Sequence, residues 1–298
     1  MKRKFLWVCM LIAIGTAAIY AFPPAAPADS IPPEPYFGQR APGEKPELFA
    51  PGIISKAGYR LHGSAVFSPD GREVFWPIVP PQLMHMRLKD GRWSKPQPFP
   101  LTGRLVTAPS FSPDGQRLYY QAYDSTGYGS IDLWYLARTD SSWSAPQNPG
   151  TPPNSEQMDS QPCCCRNGTL YFTHSMEGVA WKRGIFRAEF RDGEYAPAEP
   201  LPAQINSPCI DYTPCIAPDE HYLLFASSRP LTEERLQLFI TRRNADGSWT
   251  EPANIHAALQ FPQTARFPQL SPDGKYLFFL SQGDVYWVSA NVLNKFIE

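Results

Sequence analysis

Phe67-Ser68-Pro69-Asp70-Gly71 decides the fold, because the same short turn returns along the chain. It reappears as Phe111-Ser112-Pro113-Asp114-Gly115 and as Leu270-Ser271-Pro272-Asp273-Gly274. A weaker copy is Ile216-Ala217-Pro218-Asp219-Glu220, and the most degraded is Cys164-Cys165-Arg166-Asn167-Gly168. Proline presets φ early in a turn, aspartate folds its side chain onto the backbone, and glycine accepts a positive φ. The copies centre on residues 69, 113, 166, 218 and 272, so they lie 44 to 54 residues apart. That spacing is one four-stranded blade with loops of varied length.

Outward from each turn the same order of elements follows. An aromatic and aliphatic strand comes first: Glu73-Val74-Phe75-Trp76, Arg117-Leu118-Tyr119-Tyr120, Thr169-Leu170-Tyr171-Phe172, Tyr222-Leu223-Leu224-Phe225 and Tyr276-Leu277-Phe278-Phe279. A third strand is predicted over 83–88, 132–137, 185–190, 237–242 and 284–290. An aromatic-proline marker then opens the outermost strand: Trp93-Ser94-Lys95-Pro96, Trp143-Ser144-Ala145-Pro146, Tyr195-Ala196-Pro197 and Trp249-Thr250-Glu251-Pro252. Proline on an edge strand sacrifices no ladder hydrogen bond.

The last unit stops after its third strand, while Lys45-Pro46-Glu47-Leu48-Phe49 stands orphaned before the first and aligns with Lys95-Pro96-Gln97-Pro98-Phe99. The expected fold is therefore all-β: a five-bladed β-propeller of four-stranded antiparallel blades, closed by the N-terminal strand completing the last blade. The propeller is assigned to 44–298, a Pro/Ala-rich linker to 22–43, and a signal peptide or membrane anchor to 1–21. The leader follows from Met1-Lys2-Arg3-Lys4 ahead of an uncharged apolar stretch from Phe5 to Ala21. Export, to a periplasmic or extracellular location, is the expectation, with membrane contact only through an uncleaved N-terminus.

Composition agrees. The 34 prolines disfavour helices, and 43% hydrophobic with 13% aromatic residues disfavours disorder. A net charge of −1 gives no global field for nucleic acid. Beyond Cys9 of the leader, Cys163, Cys164, Cys165, Cys209 and Cys215 remain, an odd number, and read chiefly as small buried residues, with a disulfide among the five as the alternative.

On the Ser-Pro-Asp-Gly turn before an aromatic strand, the chain resembles the TolB-type WD-like propeller repeats, over about Glu44 to Ala290. The resemblance implies a scaffold that binds an envelope protein or peptide through one face, and it names no partner. Degeneracy at Cys165-Arg166-Asn167-Gly168 and at Glu220 puts only the third and fourth turns in question.

Loops before the innermost strand and after the second strand open on one face of a propeller. Register with the turns places His62, Asp159, His174, Asp211, Arg229 and Arg266 around that channel mouth, a default binding site. The same side chains could instead satisfy strand ends and water. The alternative is hydrolysis of a glycan or peptide by Asp159, Asp211, His62 and His174, since paired carboxylates cleave glycosides. Against it, both aspartates occupy one repeat slot, and no Gly-x-Ser-x-Gly occurs. No nucleotide-type glycine loop and no close His or Cys pair of metal-ligand spacing occurs, so no cofactor or metal is expected. A glycan remains a possible ligand. Trp93, Trp143 and Trp249 share a blade position and read as packing between blades. Trp181, out of register, reads as a surface contact.

Overall fold

A computed structural model of the chain describes residues 31–101, 104–140, 142–176, 182–229, 235–261 and 263–297. The leader and Trp181 lie outside the described residues. Five antiparallel sheets form a ring. Their second strands are Glu73–Val79, Arg117–Tyr123, Leu170–Ser175, Tyr222–Ser227 and Tyr276–Ser281, each flanked by an innermost and a third strand. Apolar side chains of these central strands are almost wholly buried between blades, among them Trp76, Tyr120, Phe172, Phe225 and Phe279.

The recurring turn is built by side chains as well as backbone. Ser68 Oγ donates to Asp70 Oδ1 at 2.5 Å and accepts from Glu73 N at 2.8 Å, and Asp70 Oδ1 accepts from Arg72 N at 3.0 Å. The set repeats at Ser112/Asp114 and Ser271/Asp273. The two degenerate copies keep the geometry. In the third, Cys165 Sγ donates to Asn167 Oδ1 at 3.0 Å, and Asn167 Oδ1 accepts from Thr169 N at 3.0 Å. In the fourth, Glu220 holds the glycine position at φ +59°. Its carboxylate accepts from Tyr171 Oη at 2.7 Å and Asn167 Nδ2 at 3.1 Å, bridging blades three and four.

The aromatic-proline marker forms a corner ahead of the outer ladder. Trp93 pairs with Leu88 at the end of the third strand, and Ser94 exchanges bonds with Arg87 N and O. The outer ladder itself comes later, at Gln97 and Pro98 opposite His85 and Met84. Blade two reduces it to a single bridge, Tyr135 with Gln147. Ring closure follows the sequence register: Glu47 pairs with Trp287 and Leu48 with Tyr286.

Part of the segment read as linker belongs to the core. Ile31 and Phe37 are buried, and the Tyr36 ring lies 5.1 to 6.0 Å from those of Phe67, Tyr276, Phe278 and Trp287. Tyr36 and Phe37 both take positive φ, which turns two adjacent rings into the seam between the first and last blades. The C-terminal turn, with Val292 and Leu293 buried, covers the neighbouring seam.

Each innermost strand from blade two onward carries a bulge at the same height. Ala108, Gln161, Thr213 and Phe267 adopt φ of +50° to +53°, and each precedes a proline: Pro109, Pro162, Pro214 and Pro268. In three of the four the bulge N–H is taken by a side chain of the preceding blade. Gln161 N donates to Gln121 Oε1 at 3.1 Å, Thr213 N to Thr173 Oγ1 at 3.0 Å, and Phe267 N to Thr213 Oγ1 at 3.3 Å. The four prolines wall the axis, leaving a cavity of about 20 Å³ there. That is room for about one water. The axis is therefore plugged just below its mouth.

Candidate ligand-binding face at the channel mouth

Antiparallel pairing sets the start of each innermost strand beside the end of its second strand. Arg60 faces Val79, Arg104 faces Tyr123, Asp159 faces His174, Asp211 faces Ser227, and Arg266 faces Leu280. All six expected residues thus stand on one face. Among the described residues the contacts resolve them into three local pairs.

Asp159 and His174 form the first pair. Asp159 is fully buried; its Oδ1 accepts from His174 Nδ1 at 2.7 Å, and its Oδ2 accepts from Ser155 N and Oγ, both at 2.8 Å. Asp211 and Arg229 form the second. Asp211 is also fully buried, with Oδ2 taking Ser207 N at 2.8 Å and Ser207 Oγ at 2.7 Å, and Oδ1 taking Arg229 Nη2 at 2.7 Å. Arg229 donates further to the carbonyls of Gln204 and Ile205 and to Ser227 Oγ. Expected at the mouth as ligand-facing acids, both aspartates instead spend both oxygens inside the fold. The reason is a motif that spacing could have revealed: Asn154-Ser155-x-x-x-Asp159 and Asn206-Ser207-x-x-x-Asp211. The serine caps the aspartate four residues on. The preceding asparagine clips the third strand of the blade before, Asn154 to Leu133 N and O, and Asn206 to Ile185 N and O.

His62 and Arg266 form the third pair, both against Phe267. The His62 ring is 6.1 Å from the Phe267 ring, and the Arg266 guanidinium carbon lies 5.6 Å over it. Burial, reinforced by the charges of Arg266 and Arg60, holds His62 below its ordinary value. His62 Nδ1 is buried without a hydrogen-bond partner. Behind them stands Tyr212, whose phenol burial pushes up against the opposing pull of Arg266 and Arg183.

The same face holds a feature that sequence patterning did not isolate. The exposed large apolar side chains of the described residues are Val79, Leu105, Tyr123 and Tyr128, 40% to 51% exposed. All four lie at the mouth ends of blades one and two. Elsewhere among the described residues large apolar side chains are buried or only partly exposed.

The fold and this face define a five-bladed propeller with a plugged axis and a partly cationic, partly apolar mouth. Structures of this kind are known. A putative TolB from Agrobacterium tumefaciens has 19% identity, covering 74% of this chain and 70% of that one, with a TM-score of 0.50. An alpha-L-arabinofuranosidase from Lactobacillus brevis has 14% identity, covering 78% and 86%, with a TM-score of 0.53. TolB from Acinetobacter baumannii has 17% identity and a TM-score of 0.46; the two align over 75% of this chain and 53% of that one. At these identities the likeness establishes the fold alone, which proteins of different activity share. No family model matches the chain, and no curated protein matches it.

Proposed function

We propose that the chain is an exported, non-catalytic propeller that binds a protein or peptide partner through its channel-mouth face. The observation that carries this reading is the state of Asp159 and Asp211. A hydrolase needs carboxylates that reach substrate, and both here have 0% exposure and filled oxygens. The plugged axis leaves a shallow surface suited to recognition. The leader motif and the TolB-like fold fit an envelope location.

Photo-crosslinking tests it. A benzophenone side chain in place of Tyr123, on the mouth, should give adducts in whole envelopes. One in place of Arg72, on the opposite face, should not. Equal adducts from both positions, or none from the first, would remove the mouth from the account.

The second reading, glycan or peptide hydrolysis, draws on one observation. The Asp159 carboxylate orients His174, whose side chain keeps 16% exposure and could serve as a general base. Turnover of chromogenic glycosides or peptides, abolished by His174→Ala in a folded protein, would replace the binding reading.

A further inference from the structure

The mouth is asymmetric in a way that specifies its occupant. Toward the last and first blades it is cationic: Arg60 and Arg266 gather there around His62, with Arg183 on the third blade close enough to act on Tyr212. Toward the first and second blades it is apolar, at Val79, Leu105, Tyr123 and Tyr128. Among the described residues, the acids of this face are engaged at home or peripheral. Asp159 and Asp211 are latched as above, and Asp132 accepts from Tyr128 N at 2.6 Å and Gly129 N at 2.9 Å. Asp124 accepts from Thr126 N and Oγ1, Asp284 accepts from Lys56 N, and Glu156 is exposed in the loop before Asp159.

Beside the axis, then, the half-buried Arg266 guanidinium lies over the Phe267 ring, and the exposed Arg60 adds a second positive charge on the same face. A carboxylate supplies the missing counter-charge by accepting from the Arg266 guanidinium. A nucleic acid would need a longer run of cations than this face or the net charge of −1 provides. A neutral sugar would leave the guanidinium without a counter-charge. The neighbouring apolar surface requires a ligand that also carries apolar side chains, which a polypeptide does.

Resting on the binding reading above, we infer that the partner presents an acidic polypeptide segment, one carboxylate of which lies against Arg266 while adjacent apolar side chains cover Val79, Leu105, Tyr123 and Tyr128. Charge complementarity sets its orientation, and the apolar contacts supply most of the buried area.

The probe is a random peptide library displayed on phage and panned on the full-length protein, on Arg266→Gln, on Arg266→Lys and on Tyr123→Ser/Tyr128→Ser, each shown to be folded by circular dichroism. Enriched peptides should combine Asp or Glu with Leu, Phe or Trp. Their affinity should fall about tenfold or more on Arg266→Gln, recover in part on Arg266→Lys, and weaken as ionic strength rises. The double tyrosine variant should lose affinity while still preferring acidic peptides. Enrichment of basic or neutral peptides, or binding indifferent to Arg266 yet lost with the tyrosines, would overturn the acidic partner and leave a mouth-binding module standing. Peptides that bind every variant equally, or no enrichment at all, would overturn both.

Discussion

Asp211 shows how burial turns an apparent functional group into a structural one. Its carboxylate is fully buried, and Ser207 and Arg229 fill it. Removing one member of such a pair strands the other charge, so Asp211→Ala should destabilise by about 3–5 kcal/mol. Urea unfolding checks this; an unchanged midpoint would return Asp211 to the list of ligand-facing groups. At the degenerate third turn, Cys165 makes the side-chain donation that Ser68, Ser112 and Ser271 make elsewhere. Cys165→Ser should therefore be tolerated within about 1 kcal/mol, although the site is fully buried. The histidines give a pH signature. His62 is lowered by burial and by Arg266 and Arg60, and burial lowers His85 likewise. The unfolded chain takes up these protons near pH ~6.5, and the folded chain only at lower pH. The unfolded state thus binds more protons in that window, and stability present above it is lost as pH falls through the folded values. The urea midpoint should drop between about pH 7 and pH 5, and His62→Gln/His85→Gln should shrink the drop. An unaltered pH dependence in the double variant would assign it to other groups.

At the scale of the element, the corner and the bulge carry the repeat. Trp93 and Trp249 are buried, as the shared blade position implied, while Trp143 is half-buried with the Arg138 guanidinium carbon 3.8 Å over its ring. Trp93→Ala should cost about 3–5 kcal/mol and Trp143→Ala distinctly less, because the latter leaves a gap that water can enter. Equal losses by thermal unfolding would contradict that difference in burial. The bulges are another matter. Their x-x-Pro signature at Pro109, Pro162, Pro214 and Pro268 stands in the sequence, yet a proline inside a strand reads simply as an irregularity. Its meaning appears only when the left-handed residue before it is seen to donate to the preceding blade. Ala108 at φ +51° makes no such demand on its methyl group. Ala108→Gly should relieve left-handed strain and leave stability unchanged or raised by up to about 1 kcal/mol. A clear loss would mean that the methyl packs against the axis more tightly than its strain costs.

For the whole molecule, closure is the decisive contact. The pairing of Glu47 and Leu48 with Trp287 and Tyr286 joins the last blade to the first, and Ile31, Tyr36 and Phe37 seal that seam from one side. A chain beginning at residue 50 should lose cooperative unfolding and expose the edge at Val285 to Trp287, seen as aggregation in size-exclusion chromatography. A monomeric, cooperative species would show that the ring holds without its latch.

Blade number, strand order and closure register were written in the sequence by itself, because each rests on local signals repeated five times. Turn chemistry acts over a few residues, strand preference over six or seven, and repetition makes every weak copy legible from the strong ones. The side of the ring on which His62, Asp159, His174, Asp211, Arg229 and Arg266 fall was legible for the same reason. Tertiary structure alone decided what they do there. Whether a carboxylate meets a ligand or a neighbour depends on groups brought from other strands and blades, such as Arg229 onto Asp211 and Arg266 onto His62. It also depends on desolvation, which sums over everything packed around the site and leaves no periodic mark in the chain.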